Sequence, residues 1–241
     1  MPLLLLLETA TTVCSVALAR DGKLLSIRET SEKNSHAAVI TLFIDEVIKE
    51  AGITMNEIDA VAVSEGPGSY TGLRIGVATA KGLCYALDKP MIAVGTLDAM
   101  AAGISCKLQV ANCKLQLTTY NLQLAIPLID ARRMEVYSAV FDAAGTMIRE
   151  IRAEIIDEHS FAEYLGEHAV IFAGDGALKC KPLFENHPNV LFLDDFAPSA
   201  AYMIPLAEGK FKENKFEDLA YFEPHYLKEF VAGLPRVKGL R

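Results

Sequence analysis

Residues 3–29 read LLLLLETATTVCSVALARDGKLLSIRE, and this stretch determines the fold class. Its apolar runs predict three strands, at residues 3–7, 13–19 and 24–29. Asp21 and Gly22, between the second and third runs, form a pair typical of a tight hairpin turn. The segment therefore predicts an antiparallel three-stranded meander whose first strand ends at the carboxylate of Glu8.

A helix and a further strand follow the predicted meander. Ser35 is a suitable N-cap for this helix and Gly52 a suitable end. Apolar residues repeat at helical spacing between them: Ile40, Phe43, Ile44, Val47 and Ile48. Residues 58–63 form a short apolar run, which predicts a strand that leads directly into a glycine-rich segment.

The same order of elements recurs downstream, although the two sequences are not alike. The predicted strands are 125–129, 135–141, 147–154 and 169–173, with a turn at Gly145, a helix near 160–167 and a turn at 174–176. Asp130 ends the first of these strands, as Glu8 does upstream. We therefore expect an α/β protein of two similar domains, residues 1–106 and 107–241, each with a mixed sheet. Residues 106–124 show no readable pattern, and we expect a connection there.

Composition limits the functions open to the chain. Of its 241 residues, 51% are hydrophobic and 22% are charged, which is typical of a globular protein with a sizeable core. The net charge of -8 disfavours direct binding of nucleic acid, because phosphates attract a cationic surface. Since no Lys or Arg precedes the leucines at 3–7, we expect no signal peptide or membrane span and a cytoplasmic location. The five cysteines form no CxxC pair, which favours reduced thiols.

Glu8 and Asp130 are candidates for chemistry because groups that end strands of an open α/β sheet face its ligand crevice. Carboxylates in that position are suited to hold Mg²⁺ near phosphates. Thr9 follows Glu8, Arg132 follows Asp130 and Gly174 opens the later glycine turn, so these three residues are candidate phosphate contacts. The alternative is that both carboxylates only cap turns, through nearby hydroxyl or backbone N–H groups.

Residues 66–76 read GPGSYTGLRIG and match neither of the common nucleotide-binding fingerprints. They predict a helix over residues 70–86 with Ser69 as its N-cap. Gly72, Gly76 and Ala80 recur every fourth residue, so one face of this helix is nearly bare and another element can approach its backbone closely. The spacing leaves open whether that element belongs to this chain or to a docking partner.

The preceding helix carries more apolar residues than its core stripe needs. Ala38, Val39 and Leu42 widen the apolar arc beyond that stripe. Surplus apolar surface beside a glycine-striped helix favours a subunit interface. Packing of a loop over these three residues explains the surplus equally well.

Residue patterns of hydrolases and metal enzymes are not present in the sequence. The histidines are never three to five residues apart, so no helical pair exists to bind zinc or iron: His36, His159, His168, His187 and His225. The chain also has no GxSxG nucleophile motif. We therefore expect no catalytic residues and no metal site.

Several segments together carry a resemblance to a known family. They are residues 8–11 (ETAT), 14–18 (CSVAL), 35–36 (SH), 66–76, 129–133 (IDARR), 135–137 (EVY), 174–176 (GDG) and 224–228 (PHYLK). In these segments the chain resembles the bacterial TsaB proteins, also called YeaZ. It departs from the pattern where Glu8 replaces the usual Asp and Lys228 a usual Arg, and residues 106–124 match nothing in it.

The resemblance implies a duplicated actin-like ATPase fold, with ribonuclease H-like halves, whose catalytic apparatus has been reduced. It implies a non-catalytic protein that binds and activates TsaD, which forms threonylcarbamoyladenosine next to the anticodon of ANN-reading tRNAs. The resemblance further implies that TsaE is a partner, that the protein pairs with itself when TsaD is absent, and that tRNA is reached only through the complex. We therefore expect no tightly bound cofactor, and ATP or ADP with Mg²⁺ only at the partner interface.

The resemblance also places the partner contact on the two helices described above. Its expected residues are His36, Val39, Leu42, Tyr70, Gly72, Leu73, Gly76 and Ala80. Two enzymatic alternatives remain at this point. One is a small phosphotransferase that holds MgATP between Glu8 and Asp130. The other is the hydrolase implied by the older M22 glycoprotease label, which the motifs do not support.

Overall fold

A computed structural model describes residues 2–32, 35–110 and 123–228 of the chain. Its strands are β1 Leu3–Glu8, β2 Cys14–Arg20, β3 Lys23–Thr30, β4 Ala60–Gly66, β5 Met91–Gly95, β6 Gln123–Asp130, β7 Glu135–Phe141, β8 Met147–Ile155, β9 Ala169–Ala173 and β10 Val190–Leu193. Its α-helices are α1 His36–Ala51, α2 Tyr70–Leu87, α3 Thr96–Val110, α4 Ala162–Leu165, α5 Ala177–Phe184 and α6 Ile204–Lys212. Short 3-10 helices lie at Met55–Glu57 and Ala200–Met203.

The strands form two five-stranded sheets with the same topology. The first has the order β3-β2-β1-β4-β5, and the second, read in the same sense, has the order β8-β7-β6-β9-β10. In each sheet an antiparallel meander joins parallel strands through its first strand, β1 or β6. This is the duplicated actin-like, ribonuclease H-like α/β arrangement, so the predicted fold class is confirmed.

Most predicted elements lie where the sequence pattern places them. Strands β7 and β9 have the predicted bounds, and positive φ angles of 53° at Asp21 and 69° at Gly22 form the predicted hairpin turn. The helix predicted near residues 160–167 is only the short α4. Of the unreadable stretch 106–124, residues 106–110 end α3 and residues 123–124 begin β6, while 111–122 lie outside the described residues.

The five leucines of β1 are buried on both faces of the first sheet. Leu3, Leu5 and Leu7 pack in a core cluster with α1 and α2. Leu4 and Leu6 pack on the other face with residues 200–207, which belong to the 3-10 helix and α6. A strand covered on both faces needs a continuous apolar run, and this is why the sequence does not alternate here.

Helices α3 and α6 each pack against the sheet of the other half. Helix α3 follows β5 of the first sheet, yet Leu97, Met100 and Ile104 pack in a core cluster with β6, β7 and β9 of the second sheet. Helix α6 packs on the first sheet, where the Lys210 ammonium donates to the carbonyl of Ala93 at 2.7 Å. The division into residues 1–106 and 107–241 stays a prediction, and its boundary falls within α3.

Two further observations concern the described part of the chain. Cys14, Cys84, Cys106 and Cys180 are free thiols there, and Cys113 lies outside the described residues. Within the same ranges, no helix has the length and apolar character needed to cross a membrane.

Candidate functional site

The turn between β1 and β2, residues 9–13, lies at the carboxyl end of β1, where the sequence predicts a site. Glu8 precedes it and is only 1% exposed. Its carboxylate accepts a hydrogen bond from the backbone N–H of Ala10 at 2.6 Å. Glu8 therefore caps its own turn, which is the alternative that the sequence left open.

Burial raises the pKa of the Glu8 carboxyl from 4.5 to about 7. Hydrogen bonds from Ala10, Ser64 and Thr9 act in the opposite direction, but loss of hydration outweighs them. The buried Glu8 carboxyl thus changes its charge near neutral pH. Thr9, the neighbouring candidate, is completely buried, and its hydroxyl has no hydrogen-bond partner among the described residues.

His36 holds the other side of this turn. Its Nε2 lies 3.0 Å from the carbonyl oxygen of Thr11 and 3.1 Å from that of Val13. Because both acceptors are carbonyls, Nε2 must carry the hydrogen and donate it. The imidazole is 8% exposed, so this predicted partner contact instead lies inside the chain and connects the start of α1 to the turn.

The glycine segment packs against the same turn. The N–H of Ser69 donates to the carbonyl of Ala10 at 2.6 Å, and the Ser69 hydroxyl accepts from the N–H of Gly72, as the predicted N-cap requires. A Cβ on Gly72 would overlap the carbonyl oxygen of Thr9, and one on Gly76 would overlap the Thr9 hydroxyl. Only glycine lets α2 approach β1 this closely.

The glycine stripe is therefore covered by other residues of the same chain. Gly72, Leu73, Gly76 and Ala80 are all buried on the inner side of α2. The internal alternative holds for these four residues, and the expectation that the stripe is a docking surface is corrected. The physical reason is that the spacing identifies a bare helix face but not the segment that covers it.

The outer side of the two helices is different. Several small and apolar residues are exposed there: Ala38 and Leu42 on α1, and Ala78, Gly82 and Tyr85 on α2. We call these five residues the α1–α2 face. Leu42 is 58% exposed and Tyr85 is 86% exposed, whereas Val39 is half-buried against the core.

The α2 part of this face was not predicted from the sequence. The signal was available, because Ala78, Gly82 and Tyr85 are separated by four and three residues and so share one side of a helix. Of the two contacts predicted on α1, Leu42 belongs to the α1–α2 face, whereas Val39 packs against the core. Tyr70 lies at the start of α2, half-buried, with its ring 4.9 Å from that of Tyr226.

In the second half, three candidates for nucleotide binding, Asp130, Arg132 and Gly174, lie close together at the carboxyl end of β6. The Asp130 carboxylate accepts from the N–H of Arg132 at 2.6 Å and from the Lys179 ammonium at 2.5 Å. Gly174 has φ +108° and lies against the backbone of Leu128, where a side chain would overlap the carbonyl oxygen. Asp130 therefore bonds within its own half, as Glu8 does. Lys179 was not singled out from the sequence.

An open cleft of about 530 Å³ lies between the end of β3 and residues 195–202. Its lining includes Glu29, Lys107 and Asp195, so it is polar and carries both signs of charge. None of the five predicted nucleotide-binding residues lines it: Glu8, Thr9, Asp130, Arg132 and Gly174. Within the described ranges, no group of three His, Cys, Asp or Glu side chains is arranged to hold a metal ion.

Comparison with known proteins identifies the family. A family model described as TsaD, tRNA N6-adenosine threonylcarbamoyltransferase, matches residues 23–232. Two relatives named tRNA threonylcarbamoyladenosine biosynthesis protein TsaB, from Escherichia coli and Haemophilus influenzae, are 31% and 29% identical. Each comparison covers 95% of this chain, and it covers 96% and 94% of the two relatives respectively. The chain belongs to the TsaB family.

A solved structure supports the same family. It is a Pseudomonas aeruginosa protein described as similar to peptidase YEAZ, with a TM-score of 0.74 and 25% sequence identity. The match covers 95% of this chain and 100% of that protein. The resemblance inferred from the sequence motifs is thus confirmed over nearly the full length.

The packing of α2 predicts opposite effects for two alanine substitutions. Gly76→Ala should lower the free energy of unfolding by about 1–3 kcal/mol, because the added methyl group overlaps Thr9. Gly82→Ala, in the same helix with open space around it, should raise that free energy by about 0.5–1 kcal/mol. Urea denaturation of both variants checks this, and equal effects would contradict the packing.

The raised pKa of Glu8 predicts a pH-dependent stability. Since the folded protein holds this proton more tightly than the unfolded chain, the cost of ionised Glu8 is absent below about pH 4.5 and grows until about pH 7. Glu8→Gln removes that cost. The free energy of unfolding of the Glu8→Gln variant, minus that of the natural protein, should therefore be about 2–3 kcal/mol larger at pH 8 than at pH 5. A difference independent of pH would disprove the assignment.

Proposed function

We propose that this chain is a non-catalytic partner that binds TsaD and activates it in forming threonylcarbamoyladenosine next to the anticodon of ANN-reading tRNAs. The α1–α2 face is the observation that carries the proposal. Both helices already bury their core stripes, and Leu42 and Tyr85 still face solvent. Exposed apolar side chains on two helices that contact each other are typical of a protein interaction site.

The composition of the face suits the docking of helices. Tyr85 is an aromatic anchor, and burial of a side chain the size of leucine contributes roughly 1.5–3 kcal/mol. Ala78 and Gly82 leave room beside it for a partner helix to approach. The exposed ion pair between Lys49 and Asp45, at 2.6 Å, lies further along α1 and fits the polar rim of an interface.

The same face is suited to the self-pairing that the family implies, and the remaining partners are expected to act through TsaD. Without TsaD, two copies can bury it against each other in a twofold dimer. TsaE then joins the TsaD complex, and ATP or ADP with Mg²⁺ belongs to the partner interface and not to this chain alone. Because the net charge is -8, tRNA is bound by the complex and not by this protein directly.

The phosphotransferase alternative lacks support from the geometry. It needs Glu8 and Asp130 to be free to hold MgATP together. Glu8 is buried and accepts the N–H of Ala10, and Asp130 is paired with Lys179. The non-catalytic role is therefore preferred.

A charge placed on the α1–α2 face tests the proposal. Leu42→Glu should weaken binding to purified TsaD by about 30-fold or more, which corresponds to the loss of about 2 kcal/mol at a central contact. Titration calorimetry measures the affinity. A reconstituted assay of threonylcarbamoyladenosine formation measures the loss of TsaD activation.

Leu178→Glu provides the matched control. Leu178 lies on α5 in the second half and is 63% exposed, close to the value for Leu42, so the same change there should leave affinity within about twofold. Circular dichroism confirms that both variants fold. Unchanged TsaD binding by a folded Leu42→Glu protein would disprove the proposed function.

A further inference from the structure

After α6, the chain crosses the first half and reaches the second. The N–H of Glu217 donates to the carbonyl of Met91 at 2.9 Å, which attaches the segment to the edge strand β5. Leu219 and Phe222 then pack against the core cluster beneath α1 and α2. Residues 217–228, which we call the strap, thus begin firmly attached to the first half.

The middle of the strap is fixed at the carboxyl end of β4. The N–H of His225 donates to the carbonyl of Glu65 at 2.7 Å. Gly66, with φ +114°, faces the carbonyl oxygen of His225 at a distance that leaves no space for a Cβ. Strap and strand are therefore in direct backbone contact at this point.

The next residue contacts the first turn of α2. The ring of Tyr226 lies 4.9 Å from the ring of Tyr70 at an interplanar angle of 40°. The Arg74 guanidinium stacks 4.3 Å from the Tyr70 ring centroid, and its Nε donates to the Tyr226 hydroxyl at 3.3 Å. Two rings and a cation therefore join the strap to the helix that carries three of the five residues of the α1–α2 face.

The end of the described strap contacts the second half. The ammonium of Lys228 forms an ion pair with the carboxylate of Glu135, the first residue of β7. It also lies 5.8 Å from the ring centroid of Tyr137. Lys228 and Tyr226 are only two residues apart, a span of about 7 Å at most, so the two contacts cannot move independently.

We propose that the strap couples the second half to the first turn of α2, with Tyr226 and Lys228 as positioning residues for the α1–α2 face. The coupling rests on the proposed function only for its effect on partner binding. Its physical basis is a chain of contacts from Glu135 through Lys228 and Tyr226 to Tyr70 and Arg74. A change at the Glu135 end should therefore alter α2, although neither Lys228 nor Glu135 belongs to that helix.

Hydrogen exchange on the isolated protein tests the coupling. Lys228→Glu places two carboxylates together and should release the end of the strap. The N–H of Leu73, bonded to the Ser69 carbonyl in the first turn of α2, should then exchange about three- to tenfold faster. The double variant Lys228→Glu with Glu135→Lys restores the ion pair in reverse and should restore the slow exchange.

Lys215→Glu is the matched control. Lys215 is also an exposed lysine of the C-terminal region, but it precedes the strap and pairs with Glu213, so its loss should leave Leu73 exchange unchanged. If Lys228→Glu accelerates exchange only at His225 and not at Leu73, the strap is a local attachment and the inference is overturned. Failure of the charge-reversed pair to restore exchange would also overturn it.

Binding to TsaD separates this inference from the proposed function. Lys228→Glu should reduce the affinity about two- to fivefold, within the range that an exposed ion pair supports, and the charge-reversed pair should restore it. If Leu42→Glu abolishes binding while Lys228→Glu changes neither exchange nor affinity, only the strap inference fails. If Leu42→Glu has no effect but Leu73 exchange responds to Lys228→Glu, the proposed function fails and the coupling stands.

Discussion

The turn between β1 and β2 is the feature on which the first half depends. Its backbone is bonded on every side: Glu8 accepts the N–H of Ala10, Ser69 donates to the Ala10 carbonyl, and His36 donates to the carbonyls of Thr11 and Val13. These bonds connect one turn to β1, to the start of α1 and to the start of α2. Because an unpaired buried backbone group is costly, the turn fixes where both helices begin.

In this chain the turn at the end of β1 serves internal packing. Glu8 is at the position where a carboxylate would serve a ligand crevice, but it is buried and engaged in its own turn. Gly72 and Gly76 of α2 leave room for Thr9 at close range, and Gly68, just before α2, does the same for Ala10. Because the inner side of α2 is buried in this way, only its outer side, with Gly82 and Tyr85, is accessible to the proposed partner.

Among the described residues, α3, residues 200–212 and the strap each connect the two halves. Helix α3 enters the core of the second half, and residues 200–212 cover the back of the first sheet. Both of these connections rest mainly on buried apolar side chains. The strap also connects the halves, through the ion pair between Lys228 and Glu135 and the half-buried rings of Tyr70 and Tyr226. It is therefore the connection that a small local change, such as loss of the pair between Lys228 and Glu135, can release without unfolding either core.

The sequence by itself determined the fold class, the two meanders and the limits of α1 and α2, because periodicity, turn pairs and caps are local signals. It did not assign β5, α3, α5, β10 or α6. For the site, it identified a bare face on α2 and surplus apolar residues on α1, yet the direction of the glycine stripe and the role of His36 were decided only by tertiary structure. The reason is that Thr9 lies more than sixty residues before Gly72, and no spacing within a helix records which distant segment will cover it.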